Sequence, residues 1–266
     1  RIEDITDALW GSRVSPSTIS ELNQKVAVQI DAWRTRPLKD TYAYVWLDAI
    51  WLKRSWAGEV QNVSVLVAIG VGEDGYREVL GVQEGAREDK ESWRGFLKNL
   101  KARGLKGTEL FITDKCLGLV EALGEIYPEA KWQRCVVHWY RNVMNATPRT
   151  KIKDVAAMLK AIHAQEDRVA ALQKAQEVQK KLLAMKLPKA AQIVREGIEE
   201  TLSYMRFPRE HWLKIRTTNP LERINREIRR RTRVVGAFPD GNAAVLLVTA
   251  RLRYIAGTRW GTKMYI

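Results

Sequence analysis

The order of β-prone and amphipathic runs between Tyr42 and Cys135 leaves few architectures open to this chain. Tyr42-Ala43-Tyr44-Val45-Trp46-Leu47 and Val63-Ser64-Val65-Leu66-Val67-Ala68-Ile69-Gly70 are mostly apolar runs, the pattern of buried strands. Glu73-Asp74-Gly75 supplies turn chemistry before a third run, Arg77 to Val82. Glu91 to Arg103 reads as a helix, with Trp93, Phe96, Leu97 and Leu100 on one face and Gly104 and Gly107 beyond its end. Glu109-Leu110-Phe111-Ile112-Thr113 is a short strand that stops at Asp114, Leu117 to Ile126 is helical, and Lys131 to Cys135 is a fifth strand. Three strands form an antiparallel meander. The fourth returns parallel to the first through a right-handed crossover. The fold class is therefore α/β, a mixed five-stranded sheet flanked by helices.

Helices occupy the rest. Ile2 to Leu9 keeps helical spacing and Gly11 breaks it. Ser15 is a natural N-cap and Pro16 a natural first residue for a second helix, with Ile19, Leu22, Val26, Ile30 and Trp33 as its apolar stripe. This pair reads equally as a helix-turn-helix or a plain helical hairpin. From Val136 to about His211 every periodic signal is helical, and two helices close the chain, near Pro220–Val234 and Ala243–Ile255. The expected division is a helical segment (1–40), an α/β part (41–135 and 214–266), and an all-α insertion (136–213). The 266 residues suffice for one large domain or two small ones. No apolar run reaches membrane-spanning length. Two cysteines exclude a disulfide scaffold and suit a reducing compartment. Residue 1 is Arg, with no signal-peptide core after it, so a piece of a longer chain is expected.

Charge points to a partner. The net charge is +14, and Thr201 to Ile266 holds 14 Lys/Arg against 4 Asp/Glu, a net of +10. A polyanion fits this balance; so does a merely basic soluble protein.

Three acids stand out. Asp48 interrupts the apolar run Val45-Trp46-Leu47-Asp48-Ala49-Ile50-Trp51. Buried there unpaired, it costs several kcal/mol or more. It needs a cation, a metal or a turn out of the core, unless it faces solvent at a sheet edge. Asp114 ends the fourth strand, where ligand sites gather, although an N-cap for the next helix explains it as well. If the first and fourth strands are neighbours, about 4.8 Å apart, both carboxylates can share one Mg²⁺. Glu222 follows Asn219 and Pro220 as in a capping box, which accounts for it structurally. After it, Arg223, Arg226, Arg229, Arg230, Arg231 and Arg233 crowd one helix. Their repulsion is relieved by a phosphate backbone or by water on a solvated face.

These segments carry a resemblance. Arg216-Thr217-Thr218-Asn219-Pro220-Leu221-Glu222-Arg223-Ile224-Asn225-Arg226, continuing through Glu227-Ile228-Arg229-Arg230-Arg231-Thr232-Arg233 to Gly236, resembles the signature around the catalytic Glu of the mutator family of bacterial insertion-sequence transposases. Asp48-Ala49-Ile50-Trp51-Leu52-Lys53 is similar to that family's first catalytic Asp segment, and Thr113-Asp114 with Gly118-Leu119 to the second. Trp132-Gln133-Arg134-Cys135-Val136-Val137-His138 with Arg141-Asn142 resembles its C-x-x-H segment, and Phe207-Pro208 and His211-Trp212 also fit. The likeness runs from about Ile2 to Ala256. One departure stands after the second Asp, where Lys115-Cys116-Leu117 replaces the family's Gly-His-Lys.

The resemblance implies an RNase H-like DDE transposase whose catalytic core is split by the helical insertion. Asp48, Asp114 and Glu222 would hold two Mg²⁺ ions, for which Mn²⁺ can substitute, with Asp48 bridging the pair. It implies strand cleavage at element ends and strand transfer without a covalent enzyme–DNA intermediate, a homodimer synapsing the ends, and a replicative route through a circular intermediate. Double-stranded DNA, as transposon ends and target, is the implied partner, with no membrane partner and a cytoplasmic, nucleoid-associated place in a bacterial cell. DNA contacts are expected from the six arginines and from Lys53 and Arg141. Trp212 is a candidate for stacking on an unpaired base, against a packing role. Cys135 and His138 are expected to be structural or DNA-organising. They also make half a zinc site that Cys116 and His211 could complete. Two rival readings are a stand-alone RNase H-like nuclease and a non-catalytic DNA-binding regulator.

Overall fold

The computed structural model describes residues 3, 7, 11, 13–56, 58–85 and 89–266. The expected helix Ile2–Leu9, and with it the helix-turn-helix reading, lies outside the described residues. Helix α1 (Pro16–Arg34) starts as its sequence dictates: Pro16 occupies the first turn, and the Thr18 amide donates to Ser15 Oγ at 3.1 Å. Its stripe is buried only at Ile30, whereas Leu22 is 52% and Val26 48% exposed. α1 meets the remainder of the chain mainly at its C-terminal half, where Arg34 donates to the carbonyl of Val82.

The sheet contains β1 (Tyr42–Trp56), β2 (Glu59–Gly72), β3 (Arg77–Gly85), β4 (Leu110–Thr113) and β5 (Lys131–Arg134), in the order β3-β2-β1-β4-β5. β2 runs antiparallel to β1 and β3, while β4 is parallel to both β1 and β5. The meander and the parallel return follow the expected order. β1 runs beyond Leu47 to Trp56 because its pairing with β2 continues to the Trp56–Glu59 register. Its far end therefore projects, paired with β2, past the short strands β4 and β5.

Alternation along β1 divides the core into two layers. Val45, Leu47 and Ala49 face helices α2 (Lys90–Ala102) and α3 (Leu117–Ile126), packing with Trp93, Phe96, Leu97 and Leu100. α2 lies close to the sheet because Gly81 has no side chain; a Cβ there would sit 2.8 Å from Leu100 Cδ2. Tyr44, Trp46, Ile50 and Leu52 face the opposite way, into the larger core.

That second face is covered by the remaining helices. α4 (Val136–Asn145), α5 (Ile152–Ile162), α6 (Arg168–Ala184) and α7 (Pro188–Gly197) follow β5, then three 3₁₀ turns lead to α8 (Trp212–Ile215). No strand interrupts Val136–His211 among the described residues. α7 stops at Gly197, which presses on Trp139 and Arg134; a Cβ there would lie 2.7 Å from Trp139 Nε1. α9 (Asn219–Thr232), α10 (Gly241–Ala256) and the short α11 (Arg259–Thr262) complete the chain. Among the described residues no helix is long and apolar enough to cross a membrane.

His163 is enclosed in the helical run, where its Nδ1 pairs with the Tyr140 hydroxyl at 3.0 Å and its Nε2 with Thr201 Oγ1 at 3.0 Å. Burial pushes its pKa down to about 4. A depressed histidine favours folding while neutral, so its contribution is complete above the ordinary value near 6.5 and is lost as pH falls toward 4. Denaturant unfolding of wild type and His163→Gln across that window should therefore converge on acidification, the gap shrinking by about 3 kcal/mol. A gap that does not change with pH would refute the assignment.

Candidate active site

Strand register puts two carboxylates side by side. Tyr44, Val45 and Trp46 pair with Leu110, Phe111 and Ile112. Asp48 lies two residues further along β1 and Asp114 follows directly on the end of β4, so extending that register brings them to the same end of neighbouring strands, whose backbones run about 4.8 Å apart. Alternation turns both toward the face of Trp46 and Ile112, away from α2 and α3.

Asp48 is not at a sheet edge, since β1 is the central strand. It is half-buried. Its Oδ1 accepts the Ala49 amide at 2.9 Å, and its Oδ2 accepts the Asn225 side-chain amide at 2.7 Å. Burial pushes its carboxyl above the usual range, and these bonds, with His138 and Arg229, pull against that shift. Asp114 is exposed and accepts the Lys115 amide at 2.7 Å. It does not cap α3, whose N-cap position is Cys116. The capping alternative for Asp114 is thereby corrected.

Glu222 arrives from the far side of the helical run. α9 begins one residue earlier than expected, with Thr218 rather than Asn219 at the N-cap and no side-chain cap bond. The capping-box reading of Glu222 is corrected too. Three contacts hold the segment ahead of α9. Trp46 Nε1 donates to the Thr217 carbonyl at 3.0 Å, the Val136 amide donates to the Arg216 carbonyl at 3.1 Å, and the Thr218 amide and hydroxyl donate to Cys135 Sγ at 3.4 and 3.3 Å. Glu222 consequently points along the start of α4. Its Oε1 lies 3.2 Å from His138 Nε2 and its Oε2 3.9 Å from Arg141.

His138 sits between the second and third acids, with Nδ1 3.8 Å from Asp114 Oδ2. Contact with Cys135, against the cost of burial and with help from Asp114 and Glu222, pushes its pKa up to about 9. Burial alone would push the Cys135 thiol up, but His138 and Thr218 outweigh it and the net direction is down. A charged imidazole therefore offsets the repulsion between two of the carboxylates.

All three acids line one open cavity of about 780 Å³, together with His138, Arg141, Arg223, Arg226, Arg229, Arg230 and Arg233. The remaining arginine of the string, Arg231, is outside that lining and pairs with Glu227 at 3.5 Å. Glu227 also holds Arg230 at 3.1 Å and Arg251 at 2.6 Å, so part of the expected repulsion is relieved within the protein. Lys53 lines an adjoining groove with Arg229 and Arg233. Trp212 lies outside the cavity lining; its indole donates to the Phe207 carbonyl at 2.8 Å and it packs edge-on against Tyr204.

The structure does not give the four-residue Cys/His set its expected members. His211 is hydrogen-bonded to the Tyr44 hydroxyl at 2.8 Å, and Cys116 packs beside the other core layer. Three cavity residues escaped sequence reasoning. Trp51 lines both the cavity and the adjoining groove, Glu227 neutralises arginines, and Asn225 holds Asp48. Asn225 carried a signal, since it is a polar residue three positions after Glu222, beside the apolar Leu221, Ile224 and Ile228 of α9.

Comparison with known proteins identifies the chain's relatives. The sequence model of the Mutator family of transposases matches residues 1–258. The chain is 40% identical over 256 residues to the transposase for insertion sequence element ISRM5 of Rhizobium meliloti, covering 94% of this chain and 63% of that protein. It is 38% identical over 266 residues to the transposase for IS1081 of Mycobacterium tuberculosis, covering 98% and 64%. It is also 32% identical over 258 residues to the transposase for IS256 in transposon Tn4001 of Staphylococcus aureus, covering 95% and 65%. The chain thus spans less than two thirds of the length of these relatives.

Removing the amide that holds Asp48 should be costly. Asn225→Ala is expected to destabilise the chain by about 2 kcal/mol, as loss of a hydrogen bond to a charged group does. Asp48→Asn combined with Asn225→Ala should cost less than the sum of the two changes. Chemical denaturation of the four proteins measures this; strict additivity would show that the contact carries no coupling.

Proposed function

The chain belongs to the Mutator family of transposases, and from that premise we propose that it carries the metal-dependent DNA cleavage and strand-transfer centre of an insertion-sequence transposase. The single observation that supports this most is the convergence of Asp48, Asp114 and Glu222 on one arginine-lined cavity. The sheet order and the helical stretch between β5 and α9 are compatible with an RNase H-like core split by an insertion, the division we adopt for residues 41–135, 136–213 and 214–266.

The donor set fits Mg²⁺. It consists of carboxylate oxygens, the ligands a hard cation prefers. Asp48 is pushed toward protonation by its surroundings, which a neighbouring cation would reverse. Asn225 Oδ1 is buried with no donor of its own. Asp48, Asp114 and Glu222 are the residues we assign to hold two such ions, Mn²⁺ serving as a substitute. Bound there, the ions supply activation of an attacking hydroxyl and stabilisation of the leaving oxygen of a phosphodiester.

The protein's own groups do the rest. Arg223, Arg226, Arg229 and Arg233 form no ion pair among the described residues and present exposed guanidinium groups to the phosphate backbone. Arg141 adds to that surface in the same cavity and Lys53 in the adjoining groove. Asn225 and the Ala49 amide orient Asp48, while the Thr217–Thr218 anchor orients Glu222. Double-stranded DNA, first as element ends and then as target, is the proposed substrate, and a homodimer the proposed means of holding two ends.

Incubation with end-sequence DNA and Mg²⁺ or Mn²⁺ tests the reading. Nicks followed by joined products are expected; nicks alone would favour a stand-alone nuclease, and binding alone a regulator. Asp48→Asn, Asp114→Asn and Glu222→Gln should each cut cleavage about a thousandfold or more while leaving DNA affinity within about threefold.

The arginine face makes a separate claim. Arg229→Ala and Arg233→Ala should each weaken binding to any sequence and reduce the slope of log affinity against log salt by about 1. An unchanged salt slope would mean that these side chains do not meet phosphate.

A further inference from the structure

A different kind of ligand set adjoins the acid trio. Cys135 Sγ, a ring nitrogen of His138 and a carboxylate oxygen of Glu222 all lie within 4.8 Å of one another. Among the described residues this is the group of metal-type side chains drawn that close, and the three acids are not. We propose that Cys135, His138 and Glu222 form a site for a soft divalent cation of the Zn²⁺ class, and that its occupation withdraws Glu222 from the acid trio.

Local structure supports it. Cys135 immediately precedes α4 and His138 lies three positions on, so both project from one helical turn. Glu222 reaches the same point from α9, which the Trp46–Thr217 and Val136–Arg216 bonds hold in place. Tetrahedral zinc with bonds of about 2.0–2.3 Å sets its ligands about 3.3–3.8 Å apart. The three atoms, already within 4.8 Å of one another, reach that spacing by side-chain rotation. The Thr218 amide and hydroxyl already donate to Cys135 Sγ, the outer support a metal thiolate needs.

Chemistry selects the ion. A thiolate and an imidazole favour Zn²⁺ over Mg²⁺, which prefers oxygen alone. His138 Nδ1 is buried and has no hydrogen-bond partner. The Cys135 side chain is fully enclosed, whereas the His138 and Glu222 side chains are 22% and 20% exposed toward the cavity. Three protein ligands leave a fourth position open to water on that side. Binding needs a thiolate and a neutral imidazole, so it releases to solvent the protons that Cys135 and His138 hold between them. The set differs from the Cys/His quartet expected from sequence, because a carboxylate takes the place of Cys116 and His211.

The metal site itself is independent of the proposed cleavage chemistry; only the competition for Glu222 rests on it. Co²⁺ is the probe, since a cobalt–thiolate bond gives a charge-transfer absorption and tetrahedral Co²⁺ strong visible bands. The purified chain should show both, with one Co²⁺ bound and displaced by Zn²⁺. Cys135→Ser should abolish the charge-transfer band, while Cys116→Ser and Asp48→Asn should retain it. Absence of the band from the wild-type chain, or its survival in Cys135→Ser, overturns the proposal. If Cys135→Ser does not melt cooperatively, His138→Gln decides: Zn²⁺ affinity should fall about tenfold or more, and unchanged affinity is the contrary result. With Mg²⁺ and end-sequence DNA, added Zn²⁺ should suppress wild-type cleavage. A chain that shows the band yet never cleaves supports this site and removes the active-site reading; one that cleaves with no band does the opposite.

Discussion

The hydrogen bond from Asn225 to Asp48 joins the two parts of this molecule that matter most to each other. It connects the central strand to α9 across 177 positions of sequence. An acid in the middle of an apolar strand is tolerable only if something answers its charge. Here a backbone amide answers one oxygen and a helix side chain the other. The same seating of α9 brings Glu222 to the cavity and fans the arginines along its rim. Trp46 and Cys135 reinforce it by gripping the residues just before the helix.

Opposite charges are kept close together without cancelling. The acids share the cavity lining, with His138 between two of them. The arginines stand on the exposed face of α9, whose other face buries Leu221, Ile224 and Ile228. Glu227 draws Arg230, Arg231 and Arg251 together, so the helix tolerates its own charge before any polyanion arrives. Like charges on one helix face otherwise destabilise it.

Local patterns made much of this architecture legible. The strand order, the parallel return of β4 and the start of α1 at Ser15 and Pro16 follow from alternation, turn chemistry and capping. Asp48 and Asp114 are expected to approach each other if the first and fourth strands are neighbours, and β1 and β4 are. What stayed hidden depends on contacts remote in sequence. Thr218 replaces Asn219 at the cap because the preceding loop is pinned to Trp46 and Cys135. The apolar stripe of α1 does not reveal that Leu22 and Val26 remain exposed. Asn225 and Glu227 read locally as ordinary helical polar residues. Their importance comes from Asp48 and Arg251, which lie elsewhere along the chain.

The separation of Asp48 from Asn225 also bears on timing during synthesis. Domains tend to fold as the chain leaves the ribosome, N-terminal parts first. Strands β1 to β5 can assemble while α9 is still being made, yet the cavity cannot close until residues beyond 219 emerge. Contacts this distant along the chain form late and slowly. Until then a nascent polypeptide would display two carboxylates with neither their third companion nor the cationic helix beside them. Under the proposed chemistry, the cutting centre would therefore come into being only after the residues of α9 have left the ribosome.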